Sequence, residues 1–268
     1  MLLTGLAREV LGREVEKPRG LQHGMWEHVA LNVEQIIKSF RLIALSSYIK
    51  HKPRFLILTV MTDPSRITIE RLSDYTFTVH FFNEAHITTT VTTADDVVTE
   101  WVNHVFFIQQ QHGSRLIVGL DIDWRPKING HQDKSVAMFK VCVGDLCLVF
   151  RFLPHRNLPN ALFNLLSSRQ FVFVGVWNNG DYEELFLNYQ IRMLNAYDLR
   201  MVAVEKLGRG EMMGMLLMGL VREVLGREVE KPRRLRHAMW EHMALNVEQI
   251  MYACVDAFLA LEIGRQLL

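Results

Sequence analysis

Cysteine is scarce: Cys142, Cys147 and Cys254 are the whole complement of a 268-residue chain. The count is odd, none is spaced C-x-x-C, and each lies within an apolar run. That excludes a disulfide framework or a thiolate zinc site and reads as reduced core residues of an intracellular protein. Charge bias is missing as well. Lys and Arg number 30 against 29 Asp and Glu, a net +1, so no uniformly basic surface is available and any polyanion must be met by a local patch. No basic-then-apolar leader opens the chain, and the run Phe55 to Met61 is too short to span a bilayer. A soluble nuclear or cytoplasmic protein with no membrane partner is expected. The eleven histidines form no ligand-like cluster. What is plentiful is apolar surface, 49% of residues, enough for one large domain or one domain with an appendage.

One apolar run ends in charge. In LIVGLDIDWRP, Leu116, Ile117, Val118 and Leu120 have the composition of a strand buried on both faces, and Asp121 and Asp123 follow with a two-residue spacing that points them to one side. Two like charges on one face of a buried strand repel, and a cation between them relieves the repulsion. The alternative is a strand that stops at Asp121 and leaves both acids solvated in a loop.

Met1 to Ile36 repeats Met215 to Ile250 with six differences. Identity that high, present twice, is a duplicated segment rather than a solenoid. Past Ile36 the copies diverge: Lys38 stands opposite Tyr252, and Leu42 opposite Asp256. Residues 37–72 read as a linker, so residues 1–72 form an appendage and 73–268 the main domain. Within the latter, alternation from Tyr75 to Phe82 and a β-rich run His86 to Thr92 predict a hairpin. Thr93, with Asp96 three residues on, predicts a capped helix with Val97, Trp101, Val105 and Ile108 inward, ending near Gly113. Beyond the acidic strand come a hairpin about Gly144-Asp145, a helix over Pro159 to Ser168 and an apolar strand from Phe171 to Val176. A turn at Asn178 to Asp181 opens a helix, Ile191 to Leu194 reads as a short strand, and a helix runs from Asp198 to Gly208. A methionine-rich helix spans Met212 to Leu225, and a last helix is capped by Asn246 and Gln249. A hairpin followed by β-α alternation predicts an α/β fold whose mixed sheet has a mainly parallel middle.

Asp121 and Asp123 at a strand end, Asp181 at a helix start, and Tyr252 with Asp256 at i, i+4 on the last helix supply four carboxylates and a phenol from three segments. Such a set suits two hard divalent cations. Each residue alone has a plainer reading, Asp181 as a helix cap and Tyr252 as a half-buried aromatic. The basic stretch containing Lys231, Arg233, Arg234 and Arg236 is either a phosphate-binding loop or a solvated face; the first copy has Gly20 and Gln22 in place of Arg234 and Arg236.

VGLDIDWRP, FVGVWNNGDYEEL and YACVDAFLALEIGR, in that order, resemble the three motifs of the Werner syndrome-type 3′–5′ exonucleases, particularly the single-domain plant members. These form part of the DEDDy group in the ribonuclease H-like fold. CVGDLCLVF, AYDLR and the lead-in Trp240, Leu245-Asn246 and Gln249 are also similar, and the resemblance covers roughly Tyr75 to Leu268. It implies a ribonuclease H-like mixed sheet flanked by helices and two Mg²⁺ or Mn²⁺ ions. Asp121, Asp123 and Asp256 would hold one ion, Asp121 would bridge to the second, Asp181 would support that one through water, and Tyr252 would orient the attacking water. Nucleoside 5′-monophosphates would leave the 3′ ends of DNA or RNA, with Trp124, Trp177, Trp240, Arg233, Arg234 and Arg236 contacting nucleic acid.

Three departures stand against that pattern. Asp123 replaces the family's usual Glu and is one methylene shorter. Trp177 replaces a usually small residue and would either narrow the site or stack on a base. The duplicated N-terminal segment is foreign to the family and is either an accident of duplication that packs loosely or a competitor for the docking surface of Met215–Ile250, in one chain or in a homo-oligomer. A relative that binds nucleic acid or a protein partner with weakened catalysis is the alternative these departures raise.

Overall fold

The structure is a computed structural model that describes residues 67–82, 84–125, 135–153, 156–178, 180–230 and 245–268. The N-terminal duplicate, Lys38, Leu42, Arg233, Arg234, Arg236 and Trp240 lie outside them. A single eight-stranded sheet organises the described residues. Strands β1 (Thr68–Arg71), β2 (Thr76–Phe81) and β3 (Ala85–Thr92) form an antiparallel meander. Strands β4 (Leu116–Trp124), β5 (Val136–Val143) and β6 (Leu146–Arg151) follow, then β7 (Phe171–Gly175) and β8 (Ala196–Asp198). Their spatial order is β1-β2-β3-β6-β5-β4-β7-β8.

The sheet is mixed as expected, but its middle is antiparallel. Strand β5 runs against both β4 and β6, and the parallel pairs are β3 with β6, β4 with β7 and β7 with β8. The tight turn at Gly144, whose φ of +60° suits glycine, returns β5 on itself. Helical crossovers serve only the flanks. Strand β1 lies in the segment read as linker and pairs with β2 from Thr68 opposite His80 to Arg71 opposite Phe77. It is too short to carry a periodic signal.

Helices cover both faces. On one side lie α1 (Asp95–His112), α2 (Asn160–Leu166) and α3 (Asp181–Tyr189), with Val98, Trp101, Leu162, Leu165 and Leu185 in a core shared with Leu120 and Phe139. On the other lie α4 (Leu199–Leu207) and α5 (Val247–Leu267), packed with Met138, Cys142 and Val174. Helix α1 begins one residue later than Thr93 would cap: Ala94 is the N-cap, and the Thr92 hydroxyl accepts its N–H. Its buried stripe is Val98, Trp101, Val102 and Val105, rotated from the expected one. Ile191 to Leu194 is not a strand; the short strand is β8, with Asn195 donating to the Phe171 carbonyl beside it. The methionine-rich segment is broken at Met215-Leu216 into a short turn, Gly210–Gly214, and a continuous helical stretch, Leu217–Leu220 running into Val221–Leu225, rather than one helix. Gly214, just before the break, weakens helix continuity there.

Cys142, Cys147 and Cys254 are free and buried, as expected of core residues, with Cys142 opposite Cys147 across β5 and β6 and the Thr89 hydroxyl donating to Cys254 Sγ at 3.1 Å. Burial pushes the Cys142 and Cys147 thiols up.

Candidate active site

Strand β4 does not stop at Asp121. It continues to Trp124, so Asp121 and Asp123 project from a paired strand toward α5, while Leu120 and Ile122 enter the opposite core. Helix α5 is the other half of the site. Asn246 and Gln249 form a reciprocal capping box that fixes its start, with Asn246 Oδ1 accepting from Gln249 N at 2.8 Å and Gln249 Oε1 accepting from Asn246 N at 2.9 Å. The helix crosses β4 at Gly119. A Cβ there would lie 2.0 Å from the Ala257 carbonyl oxygen, so only glycine admits this approach. A second close crossing, at Gly264, sets the helix against Val174 and Ile117. The result places Asp256, 4% exposed, against the acids of β4.

The three carboxylates meet around one ammonium. Lys140, opposite Asp121 across β4 and β5, has Nζ at 2.6 Å from Asp121 Oδ2, 2.8 Å from Asp123 Oδ2 and 3.4 Å from Asp256 Oδ2. Burial alone would lower the lysine pKa; the three carboxylates outweigh it and hold it well above the usual value, so the ammonium is charged. Burial, together with the neighbouring Asp121 and Asp256 charges, raises the Asp123 carboxyl against the pull of Lys140. The missing methylene at position 123 does not keep this carboxylate out of the cluster.

Asp181 is set by a different device. Gly180, at φ +93°, starts α3, and Asp181 Oδ2 accepts from the Asn178 N–H at 2.8 Å. Strands β4 and β7 are parallel neighbours, with Gly119 opposite Val174, so Asp181 and Asp121 belong to the same end of the sheet. Burial and the charges of Asp198 and Asp181 push the Tyr182 phenol up. Tyr252 is 8% exposed, and its hydroxyl donates to the Glu230 carbonyl at 2.8 Å.

Trp177 packs inward. It is 4% exposed, its indole contacts the position a Gly175 Cβ would fill, and Tyr182 meets it edge-on at 5.1 Å. There the ring forms a floor beside Leu120. Arg200 secures that floor by donating to the Trp177 carbonyl while pairing with Asp198 at 2.6 Å. Trp124 is half-buried at the end of β4, after a bulge between Asp123 and itself. Arg125 then donates to the Val136 carbonyl at 2.7 Å and ties that end to β5.

Lys140 and Arg200 were not among the expected site residues. The signal for Lys140 was present, a single charge inside the apolar strand VAMFKVCV, all of it buried.

The donor set fits a hard divalent cation: carboxylate oxygens from β4 and α5 already enclose a cation, the Lys140 ammonium standing in for one. Among the described residues no three acids, histidines or cysteines stand at the mutual spacing that holds a metal ion. The ammonium sets their spacing instead.

This strand order, with helices on both faces and acids at the end of β4, at the start of α3 and on the final helix, is that of a ribonuclease H-like fold. The same fold is found in Escherichia coli RNase D, with a TM-score of 0.56 at 16% identity over 67% of this chain and 44% of that one. The catalytic core of RRP6 from Trypanosoma brucei gives 0.55 at 13% identity, over 68% and 46%. The 3′-5′ exonuclease family profile matches residues 87–268, and the chain belongs to that family. A 3′-5′ exonuclease of Arabidopsis thaliana is 34% identical over 143 residues, 53% of this chain and 49% of the relative. The bifunctional 3′-5′ exonuclease/ATP-dependent helicase WRN of Mus musculus is 30% identical over 152 residues, 56% of this chain and 11% of that protein. The chain therefore spans about half of the first and a small part of the second.

Proposed function

We propose that this chain is a divalent metal-dependent 3′–5′ exonuclease that removes nucleoside 5′-monophosphates from the 3′ ends of DNA or RNA. The observation that carries the reading is the convergence of Asp121, Asp123 and Asp256 on a single cation position inside the family-matched region. Mg²⁺ or Mn²⁺ would be held by these residues, with Asp181 supporting a second ion. When bound, such ions neutralise phosphate charge and acidify the attacking water. The protein's own part is positioning. Gly119 lets α5 approach β4, Asp256 is fixed by that crossing, and Tyr252, held by the Glu230 carbonyl, presents its phenol oxygen as an acceptor that orients water. Arg233, Arg234, Arg236 and Trp240, together with Trp124, are proposed to contact the strand. Among the described residues no helix is long and apolar enough to cross a membrane.

Lys140 favours a second reading, a relative that holds nucleic-acid ends with weakened cleavage. A 5′-labelled oligonucleotide incubated with Mn²⁺ or Mg²⁺ separates the two. The exonuclease gives a ladder of 3′-shortened products that disappears with Asp121→Ala, whereas retention of the strand without shortening supports the binder.

A further inference from the structure

Strand β5 is buried along its whole length, and one ionised side chain sits in its middle. An ammonium that deep is tolerated only with full compensation, and the three carboxylates around Lys140 supply it. The dependence is mutual. Without the lysine, two acids on one strand face and a third from α5 would repel one another where water screens little. Lys140 thus performs, in the metal-free protein, the charge balancing that a bound ion performs in an acid cluster.

The two cations are incompatible in one place. Mg²⁺ lies about 2.0–2.1 Å from its oxygen ligands, and a nitrogen already 2.6, 2.8 and 3.4 Å from oxygens of the same three carboxylates fills that space. We infer that Lys140 is a built-in counter-cation of the site, and that a divalent metal enters between Asp121, Asp123 and Asp256 only by expelling its ammonium. The inference rests on the exonuclease reading, because metal binding at this cluster is what the lysine opposes. The chain is consequently stable without metal and requires more metal than its acids alone would.

The test uses Mn²⁺ alone as probe, with binding read by titration calorimetry and by loss of the free-ion paramagnetic resonance signal. The proteins are the full chain, Lys140→Met, Lys140→Gln, Lys140→Arg, Asp121→Asn and the Lys140→Met/Asp121→Asn double variant. Mn²⁺ affinity is expected to rise about tenfold or more in the Met and Gln variants, well under the roughly 100-fold or greater change that breaking a buried ion pair represents. Their melting temperatures fall without metal and recover with Mn²⁺. The Arg variant keeps the charge and shows no gain, and the double variant loses it. Equal affinity in the native, Met and Gln chains, with binding abolished by Asp121→Asn, would overturn the inference and leave the exonuclease reading standing. Absence of Mn²⁺ binding in every folded version would remove both. Failure of both the Met and Gln variants to fold, even with Mn²⁺ present, would make Lys140 purely structural and also defeat the inference.

Discussion

Asp256 and Tyr252 share a face of α5 but are held differently, Asp256 by charge and Tyr252 by a hydrogen bond to the main chain. Tyr252→Phe removes the donor to Glu230 and should lower unfolding free energy by about 0.5–1.5 kcal/mol in urea titration. If the phenol oxygen orients water, the same substitution lowers the rate of 3′ shortening while Mn²⁺ affinity stays unchanged. Asp121, Asp123 and Asp256, which the structure brings together, stood out in the sequence because carboxylates in or beside apolar runs violate burial rules and call for a reason. Lys140 broke the same rule as plainly, yet its meaning required the register that sets it opposite Asp121. The burial of Trp177 was not legible in the sequence for a related reason. Whether a ring faces solvent or folds back on a glycine is decided by local packing, and Gly175, two residues earlier, provides the space.

Among the elements, the crossing of α5 over β4 decides the site. Gly119→Ala would bring a Cβ to 2.0 Å from the Ala257 carbonyl oxygen, forcing the helix away. A loss of about 1–3 kcal/mol or more is expected from such overpacking, with a fall in Mn²⁺ binding as Asp256 withdraws. Gly113→Ala makes the comparison: φ is +65° and nothing lies within 4 Å of the added methyl. It should cost about 1–2 kcal/mol through backbone strain alone and leave metal binding intact. Chemical denaturation and calorimetry on the pair check both statements. Local signals located most helices and strands, including the capping box of α5. They failed where partners decide: the antiparallel middle of the sheet, the rotated stripe of α1 and the broken methionine-rich segment depend on packing that periodicity does not encode.

For the molecule as a whole, the sheet begins earlier than the sequence boundary suggested. Strand β1 covers the edge of β2, whose Phe77, Val79 and Phe81 line the core. A chain starting at Ile67 should therefore unfold cooperatively and remain monodisperse in light scattering. One starting at Asp74 exposes the β2 edge and should aggregate on warming. Cys142, Cys147 and Cys254 add a final consequence. Thiols that are buried, two of them with raised pKa, offer almost no thiolate to a reagent while the sheet is closed. Alkylation of the native protein by iodoacetamide should thus proceed only as fast as the sheet opens, making these three sulfurs an internal clock for how often the molecule breathes.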